Sequence, residues 1–250
     1  MANVDEKLPL TAHLEELRSR LIKSIIVIVL VFIVCYSQSK YIFDFVTAPL
    51  IKVLPEKSSL AMIKLTEGFF TELKLSLMAA LFFSMPFILY QLWKFVAPGL
   101  YAHERRYVVS FVIVSSILFF TGAVFAYYVV FPFGFQFFLS YAKGYVIANL
   151  SIQWYLSFVV RLIMGFGIIF ELPVFTLFLA KMGIVTASMM KKYRRYAIVV
   201  IFIAAAILTP PDVFTQLMMA GPLILLYEIS IFVAKIFGRK EEIKKEDIYE

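Results

Sequence analysis

The sequence predicts an all-α polytopic membrane protein with six transmembrane helices, both termini on the cytoplasmic side, and two short final spans. Composition predicts the class, because 62% of the 250 residues are hydrophobic and only 16% are charged. Soluble domains average about 45–50% apolar and about 25% charged residues. The apolar residues also fall into six runs separated by charged segments, which predicts the number of spans.

The runs set the span boundaries, because a hydrocarbon core of about 30 Å requires about 20 apolar residues at a rise of about 1.5 Å per residue. We predict spans at Lys23–Ser39, Phe69–Trp93, Tyr107–Phe131, Tyr155–Ala180, Tyr196–Leu208 and Val213–Ala234. They form one domain, residues 1–237, followed by a charged tail, residues 238–250, that we expect to be disordered. The mixed segment between the first two spans is too long for a turn and predicts a cap along the outer membrane surface.

The last two spans are short in uncharged length. The fifth lies between "KKYRR" and the helix-breaking "TPPD", and Glu228 interrupts the sixth. Their uncharged helices measure only about 20 and 22 Å. We therefore expect this hairpin to thin the bilayer, to lean on neighbouring helices or to line a water-filled recess.

Arginines predict the orientation. Seven of the eight arginines lie before span one, between spans two and three, between spans four and five, or after span six, and Arg161 is the exception. The opposite loops contain only a few lysines as basic residues. The positive-inside rule places both termini in the cytoplasm, so the net charge of +7 reflects membrane orientation and not nucleic-acid binding.

One carboxylate, Glu171 in "FGIIFELPVF", lies inside the fourth span. An unpaired carboxylate in hydrocarbon costs several kcal/mol, so such a residue indicates a functional position. Arg161 is ten residues away, about 15 Å along one helix, and cannot pair with it there. A proton carrier, a structural pair with another helix and a docking point for a partner are the three interpretations.

Chemistry-bearing motifs of enzymes are not found in the sequence. Cys35 is the single cysteine and there are two histidines, which argues against a disulfide or a metal site. The sequence contains no HExxH, GxSxG, paired-aspartate or nucleotide-binding motif. We expect no catalytic residue, no metal and no cofactor.

Two cytoplasmic carboxylates stand out instead. Glu16 lies in "LPLTAHLEELRSRLIKS", which predicts an amphipathic helix in which Arg20 can pair with it. Such exposed pairs contribute only about 0.3–0.5 kcal/mol, which leaves Glu16 available to another cation. Glu104 in "YAHERR" lies at the same membrane face, where Arg105 or Arg106 can neutralise it. Together, two carboxylates on one face suit bidentate binding of guanidinium groups.

Four segments, taken in order, resemble the TatC family, the polytopic subunit of the twin-arginine protein translocase. They are "HLEELRSRL", "SMPFILYQLWKFVAPGLYAHERR", "FGIIFELPV" and "LTPPDVFTQ". The resemblance extends from about Pro9 to Phe237 and implies a signal-peptide receptor that exports folded proteins across the cytoplasmic membrane, driven by the proton motive force. It also implies that the twin-arginine motif of the signal peptide binds at Glu16, Glu104, Arg18, Phe95, Pro98 and Leu100.

The resemblance further implies how partners bind. Glu171 would face a concave recess on the outer side and engage a polar position of a single-span subunit of the TatA or TatB type. Pro210 and Asp212 would form the outer turn before the last span, and the chain would form homo-oligomers within a receptor complex. Arg161 and Glu15 match no family motif.

A proton-coupled secondary transporter of a small solute is the alternative function. Glu171, Arg161 and Glu228 would then form a relay or a substrate site, as intramembrane acids do in transporters. The sequence shows neither the inverted repeat nor the pair of broken helices typical of that class.

Overall fold

The chain folds into a helical bundle in the computed structural model, which describes residues 10–54, 59–96, 108–140, 149–209 and 213–238. The helices are α1 (Leu10–Ser37), α2 (Ser39–Ile51), α3 (Glu67–Val96), α4 (Val108–Phe125), α5 (Phe131–Ser140), α6 (Ile152–Phe170), α7 (Leu172–Lys181), α8 (Ala187–Lys192), α9 (Arg194–Leu208) and α10 (Val213–Phe237). A π-helical turn, Ala126–Val130, joins α4 to α5. Two short strands, β1 (Ser59–Ala61) and β2 (Asn149–Ser151), pair in parallel.

Five helical segments of the described part are long and apolar enough to cross a membrane. They are Thr11–Ser37, Glu67–Val96, Val108–Phe137, Ile152–Lys181 and Val213–Phe237. They coincide with five of the six predicted spans. The fifth predicted span corresponds to α9, whose 15 residues measure only about 22 Å, so the count of six depends on this short helix.

The prediction that the last span is short is wrong. Helix α10 continues through Glu228 to Phe237 and has 25 residues. Glu228 continues the helix because glutamate is a good helix former, and Arg194 of α9 donates a hydrogen bond of 2.8 Å to its carboxylate. The charge interrupts the apolar run in the sequence but not the helix.

Helix α6 lies at the centre of the core. Its residues Val159 and Phe166 are fully buried, and it packs against α3, α4 and α9. Helix α1, by contrast, packs mainly on α3 and exposes large apolar side chains such as Ile25 and Ile33. Exposed apolar residues along a whole helix are typical of lipid contact.

The predicted outer cap folds into α2 and β1. Pro49 lies inside α2 and has no N–H to donate to the carbonyl of Phe45, four residues earlier. The Tyr127 hydroxyl donates to that carbonyl instead, at 2.6 Å, and the Tyr155 hydroxyl donates to the carbonyl of Val46 at 2.8 Å. These two bonds fix the cap on the helical bundle.

Candidate functional site

The first candidate surface is formed where the N-terminal half of α1 meets the end of α3. Oε1 of Glu16 accepts hydrogen bonds from Nε (3.0 Å) and Nη2 of Arg20. Arg20 also donates from Nη1 to Oε1 of Gln91 on α3, at 3.3 Å. The sequence prediction that Glu16 pairs with Arg20 is confirmed, and Gln91 ties the pair to the bundle.

An aromatic contact joins the same two helices. His13 of α1 stacks on Phe95 of α3 with ring centroids 4.2 Å apart and an interplanar angle of 17°. Two predicted site residues that are far apart in the sequence, Glu16 and Phe95, therefore lie on one surface. We call this set, His13, Glu16, Arg20, Gln91 and Phe95, the α1–α3 face.

The Glu16 carboxylate retains binding capacity. Its side chain is 28% exposed, and among the residues that the structure describes only Oε1 accepts hydrogen bonds. Arg18 and Glu15 are exposed beside it. Glu104, Pro98 and Leu100, which the sequence assigns to the same region, lie outside the described residues, as do Pro210 and Asp212 of the predicted outer turn.

The second candidate site is Glu171, at the junction of α6 and α7. Pro173 breaks the helix there because it cannot donate to the carbonyl of Ile169. The backbone tightens accordingly, and the N–H of Glu171 donates to the carbonyl of Ile168 at 3.1 Å. Both carboxylate oxygens are buried, and neither has a hydrogen-bond partner among the described residues.

Glu171 does not face the open recess that the resemblance implies, because the residue is only 2% exposed. Its polar neighbour is Ser115 of α4, whose hydroxyl accepts the indole N–H of Trp93 at 3.0 Å. Val174, one turn beyond Glu171, belongs to an apolar cluster that includes Trp93. Aromatic and aliphatic packing thus excludes water from the carboxylate.

Arg161 does not pair with Glu171. It is exposed on α6, and in the described ranges no hydrogen bond or ion pair joins the two. Structural pairing with an arginine among the described residues therefore does not explain the buried carboxylate.

Sequence reasoning missed a third carboxylate, Glu67, at the start of α3. Its Oε2 accepts the backbone N–H groups of Ile63 (2.6 Å) and Lys64 (3.1 Å). Its Oε1 accepts the Ser151 hydroxyl (2.7 Å) and the N–H of Gln153 (2.9 Å). An acidic residue before an apolar run is the signal for a helix start, but its bonds to the start of α6 are long-range and not readable from the sequence.

No group of three or more histidine, cysteine, aspartate or glutamate side chains suited to a metal is found in the described ranges. The candidate sites instead contain three carboxylates, each in a different environment. Glu16 is partly exposed and paired, Glu67 is buried and fully hydrogen-bonded, and Glu171 is buried and unpartnered.

Comparison with known proteins decides the family. The model of the TatC family, described as Sec-independent protein translocase protein, matches residues 12–222. The chain belongs to the TatC family. The resemblance of the four motifs is thereby confirmed, and the chain is a component of a Sec-independent protein translocase.

Relatives and solved structures agree with this assignment. The TatC protein of Desulforapulum autotrophicum is 44% identical over 100% of this chain and 93% of its own length. That of Escherichia coli is 43% identical over 96% of this chain and 94% of its own. A crystal structure described as the twin arginine translocase receptor TatC has a TM-score of 0.80 and 41% identity, covering 89% of this chain and 97% of that one.

Proposed function

We propose that this TatC protein is the signal-peptide receptor and core component of a twin-arginine translocase in the cytoplasmic membrane. It exports folded proteins, and the proton motive force drives this export. The observation that carries the proposal is the α1–α3 face, where Arg20 and Gln91 hold the Glu16 carboxylate beside an aromatic stack.

The geometry suits an incoming guanidinium. Arg20 occupies Oε1 of Glu16, and Oε2 accepts no hydrogen bond within the described ranges. A planar guanidinium binds carboxylate oxygens through two parallel bonds, whereas a lysine ammonium is a strongly hydrated point charge. Because Arg20 already neutralises part of the Glu16 charge, a second carboxylate is required for the second arginine, and Glu104 is that residue in the proposal.

Crosslinking of a twin-arginine signal peptide tests these two roles. We expect Glu16→Ala and Glu104→Ala each to lower crosslinking by about ten-fold or more, because hydrogen bonds to charged groups contribute about 1.5–3 kcal/mol each. Glu15→Ala, which removes an exposed carboxylate next to Glu16, is the matched control and should bind normally. Unchanged crosslinking in both the Glu16 and the Glu104 variants would contradict the assignment.

Glu171 is proposed as the docking point for a single-span partner subunit of the TatA or TatB type. Its unpartnered oxygens support this role. Ile168 and Phe175, one turn before and one turn after on the same stripe, are 55% and 40% exposed. In the proposal, a change of side-chain rotamer moves the carboxylate to the surface between these two residues, where a partner helix can donate a hydrogen bond. Homo-oligomers of this chain complete the proposed receptor complex.

Both termini are proposed to lie in the cytoplasm, on the basis of the arginine distribution. A periplasm-dependent reporter enzyme, such as alkaline phosphatase, fused after residue 250 is expected to be inactive. The same reporter inserted within residues 141–148, between α5 and β2, is expected to be active. The reverse pattern would overturn the orientation.

The described residues do not form the relay that a proton-coupled transporter would need. Glu228 pairs with Arg194 at 2.8 Å, and Arg161 is exposed. In the described part of the chain, no hydrogen bond or ion pair joins Glu228 or Arg161 to Glu171. Uptake of a labelled solute by the reconstituted protein alone would restore this function.

A further inference from the structure

Two cations in the membrane-spanning helices have no ion pair. Lys74 of α3 and Arg161 of α6 are both exposed, and neither forms a salt bridge with any residue in the described ranges. Lysine and arginine within spans are rare and normally have a partner. A partner from outside the chain is therefore expected.

The space beside Lys74 is a groove between α3 and α6 of about 360 Å³. Its polar lining residues are Thr71, Lys74, Gln153 and Ser157, and the remaining lining residues are phenylalanine, leucine and valine. We call it the α3–α6 groove. It lies at the end of the bundle that carries β1 and β2, because both helices begin directly after these strands or the loop that follows.

The Lys74 ammonium has unused hydrogen-bond donors in the groove. Nζ of Lys74 donates to the Ser157 hydroxyl at 2.8 Å, which fixes the ammonium over α6 and leaves two of its three N–H groups. The Thr71 hydroxyl is buried, lines the groove and has no hydrogen-bond partner in the described part of the chain. Arg161 follows Ser157 by four residues and thus lies on the same stripe of α6.

The nearby carboxylates do not neutralise these cations. Glu67 already accepts four hydrogen bonds, from two backbone groups before α3 and two groups at the start of α6. Glu72 is exposed on α3. Within the described ranges no ion pair joins Glu67 or Glu72 to Lys74 or Arg161.

The depth of the two cations in the bilayer favours a lipid phosphate as their partner. The spans Glu67–Val96 and Ile152–Lys181 have 30 residues each, about 45 Å, and exceed a hydrocarbon core of about 30 Å by about 7 Å at each end when centred. Lys74 lies about 10 Å and Arg161 about 14 Å from the start of its helix. Both Cα atoms are then only about 3–7 Å below the boundary, from where long basic side chains extend to the headgroup level. A lipid phosphate is within reach, whereas an acid at the bilayer midplane is not.

We propose that the α3–α6 groove binds one anionic phospholipid. Lys74 in the groove and Arg161, one turn beyond Ser157 on α6, contact its phosphate, and an acyl chain lies along the apolar wall of the groove. Two cations favour a lipid with net negative charge over a zwitterionic one, whose own ammonium they repel.

Native mass spectrometry of the full-length purified protein in detergent tests the proposal. Phosphatidylglycerol and phosphatidylcholine are titrated separately. The wild-type protein is expected to bind phosphatidylglycerol more tightly, and Lys74→Gln and Arg161→Gln are each expected to weaken that binding about five-fold. The double variant should weaken it about 25-fold if the two contributions add.

Lys64→Gln is the matched control, because Lys64 is an exposed lysine at the same end of the bundle but outside the groove. It should bind phosphatidylglycerol like the wild type, and so should the charge-preserving pair Lys74→Arg with Arg161→Lys. Equal affinities of the double glutamine variant and the Lys64→Gln control would overturn the proposal, as would equal binding of the two lipids to the wild type.

A double variant that keeps the lipid but loses co-purifying protein subunits would overturn it as well and assign the cations to a partner helix. Should the double variant fail to fold, Arg161→Gln alone, at an exposed position, decides in the same way.

Discussion

Glu67 and Glu171 are both almost fully buried, at 4% and 2% exposure, yet their surroundings differ in every polar contact. The carboxylate of Glu67 accepts four hydrogen bonds, whereas that of Glu171 accepts none among the described residues and has only the Ser115 hydroxyl as a polar neighbour there. A buried polar group without a partner costs about 1–3 kcal/mol, and more when it is charged. Glu67 therefore stabilises the junction of α3, β2 and α6, whereas Glu171 lowers the stability of the isolated chain.

Substitutions at Glu171 separate stability from function. We expect Glu171→Leu to raise the free energy of unfolding by about 1–3 kcal/mol, because it removes the unpartnered carboxylate from an apolar site. Thermal unfolding of the purified protein measures this. In an export assay we expect Glu171→Gln to be milder than Glu171→Ala, since the amide keeps the shape and a hydrogen-bonding group for the partner.

Two outcomes at Glu171 would contradict this account. Near-normal export from both the Gln and the Ala variants would mean that the residue is dispensable. A large loss of stability in Glu171→Leu would mean that the carboxylate has a structural partner.

At the scale of elements, α4 and α6 approach so closely that they require glycine. A Cβ at Gly122 would lie 2.5 Å from the carbonyl oxygen of Phe166, and one at Gly167 would lie 2.5 Å from the Phe119 ring. Small residues that let helix backbones approach are typical of packing in membranes. This contact positions Ser115 of α4 next to the break between α6 and α7.

Gly122→Ala should destabilise the chain by about 1–3 kcal/mol, because a backbone carbonyl cannot move aside as a side chain can. Gly134→Ala is the control, since nothing lies within 4 Å of a Cβ at that helical position. There we expect a gain of about 0.5–1 kcal/mol from helix propensity. Thermal midpoints of the two variants in one detergent compare them, and equal midpoints would show that the α4–α6 approach is looser than the structure has it.

The elements were predictable to different degrees. Five spans follow from long apolar runs, and the short α9 follows from the basic and proline-rich segments on either side of it. The length of α10 did not follow, because a charge such as Glu228 reads as an interruption until its partner Arg194 is known. The break at Pro173 is visible in the letters "ELP", but the burial of Glu171 depends on Trp93, Ser115 and other residues distant in sequence.

At the scale of the whole molecule, contacts within one helix could be predicted from the sequence, but contacts between helices could not. Glu16 with Arg20 follows from the four-residue helical spacing, whereas the bonds from Arg20 to Gln91 and from His13 to Phe95 require the packing of α1 on α3. The groove between α3 and α6 could not be predicted either, because it depends on how these two helices pack. The sequence gives its cations, Lys74 and Arg161, without their common location.

The proposed function gives the molecule two functional levels. The α1–α3 face is a surface of partly exposed charge beside an aromatic stack, suited to an arginine-bearing peptide. Glu171 is a buried charge within the bundle, suited to a partner helix. Peptide recognition on the first level is the central claim, because the second has a function only in an assembled translocase.

Binding of two otherwise identical signal peptides, one with the twin-arginine motif and one with twin lysine, to the purified protein tests that claim most directly. Guanidinium groups bind carboxylates in a bidentate geometry that lysine cannot reproduce, so co-purification should recover the twin-arginine peptide at least about ten times more efficiently. Glu16→Ala should remove most of this difference. Equal recovery of the two peptides by the wild-type protein would contradict the receptor function and leave only the family and the helical bundle established.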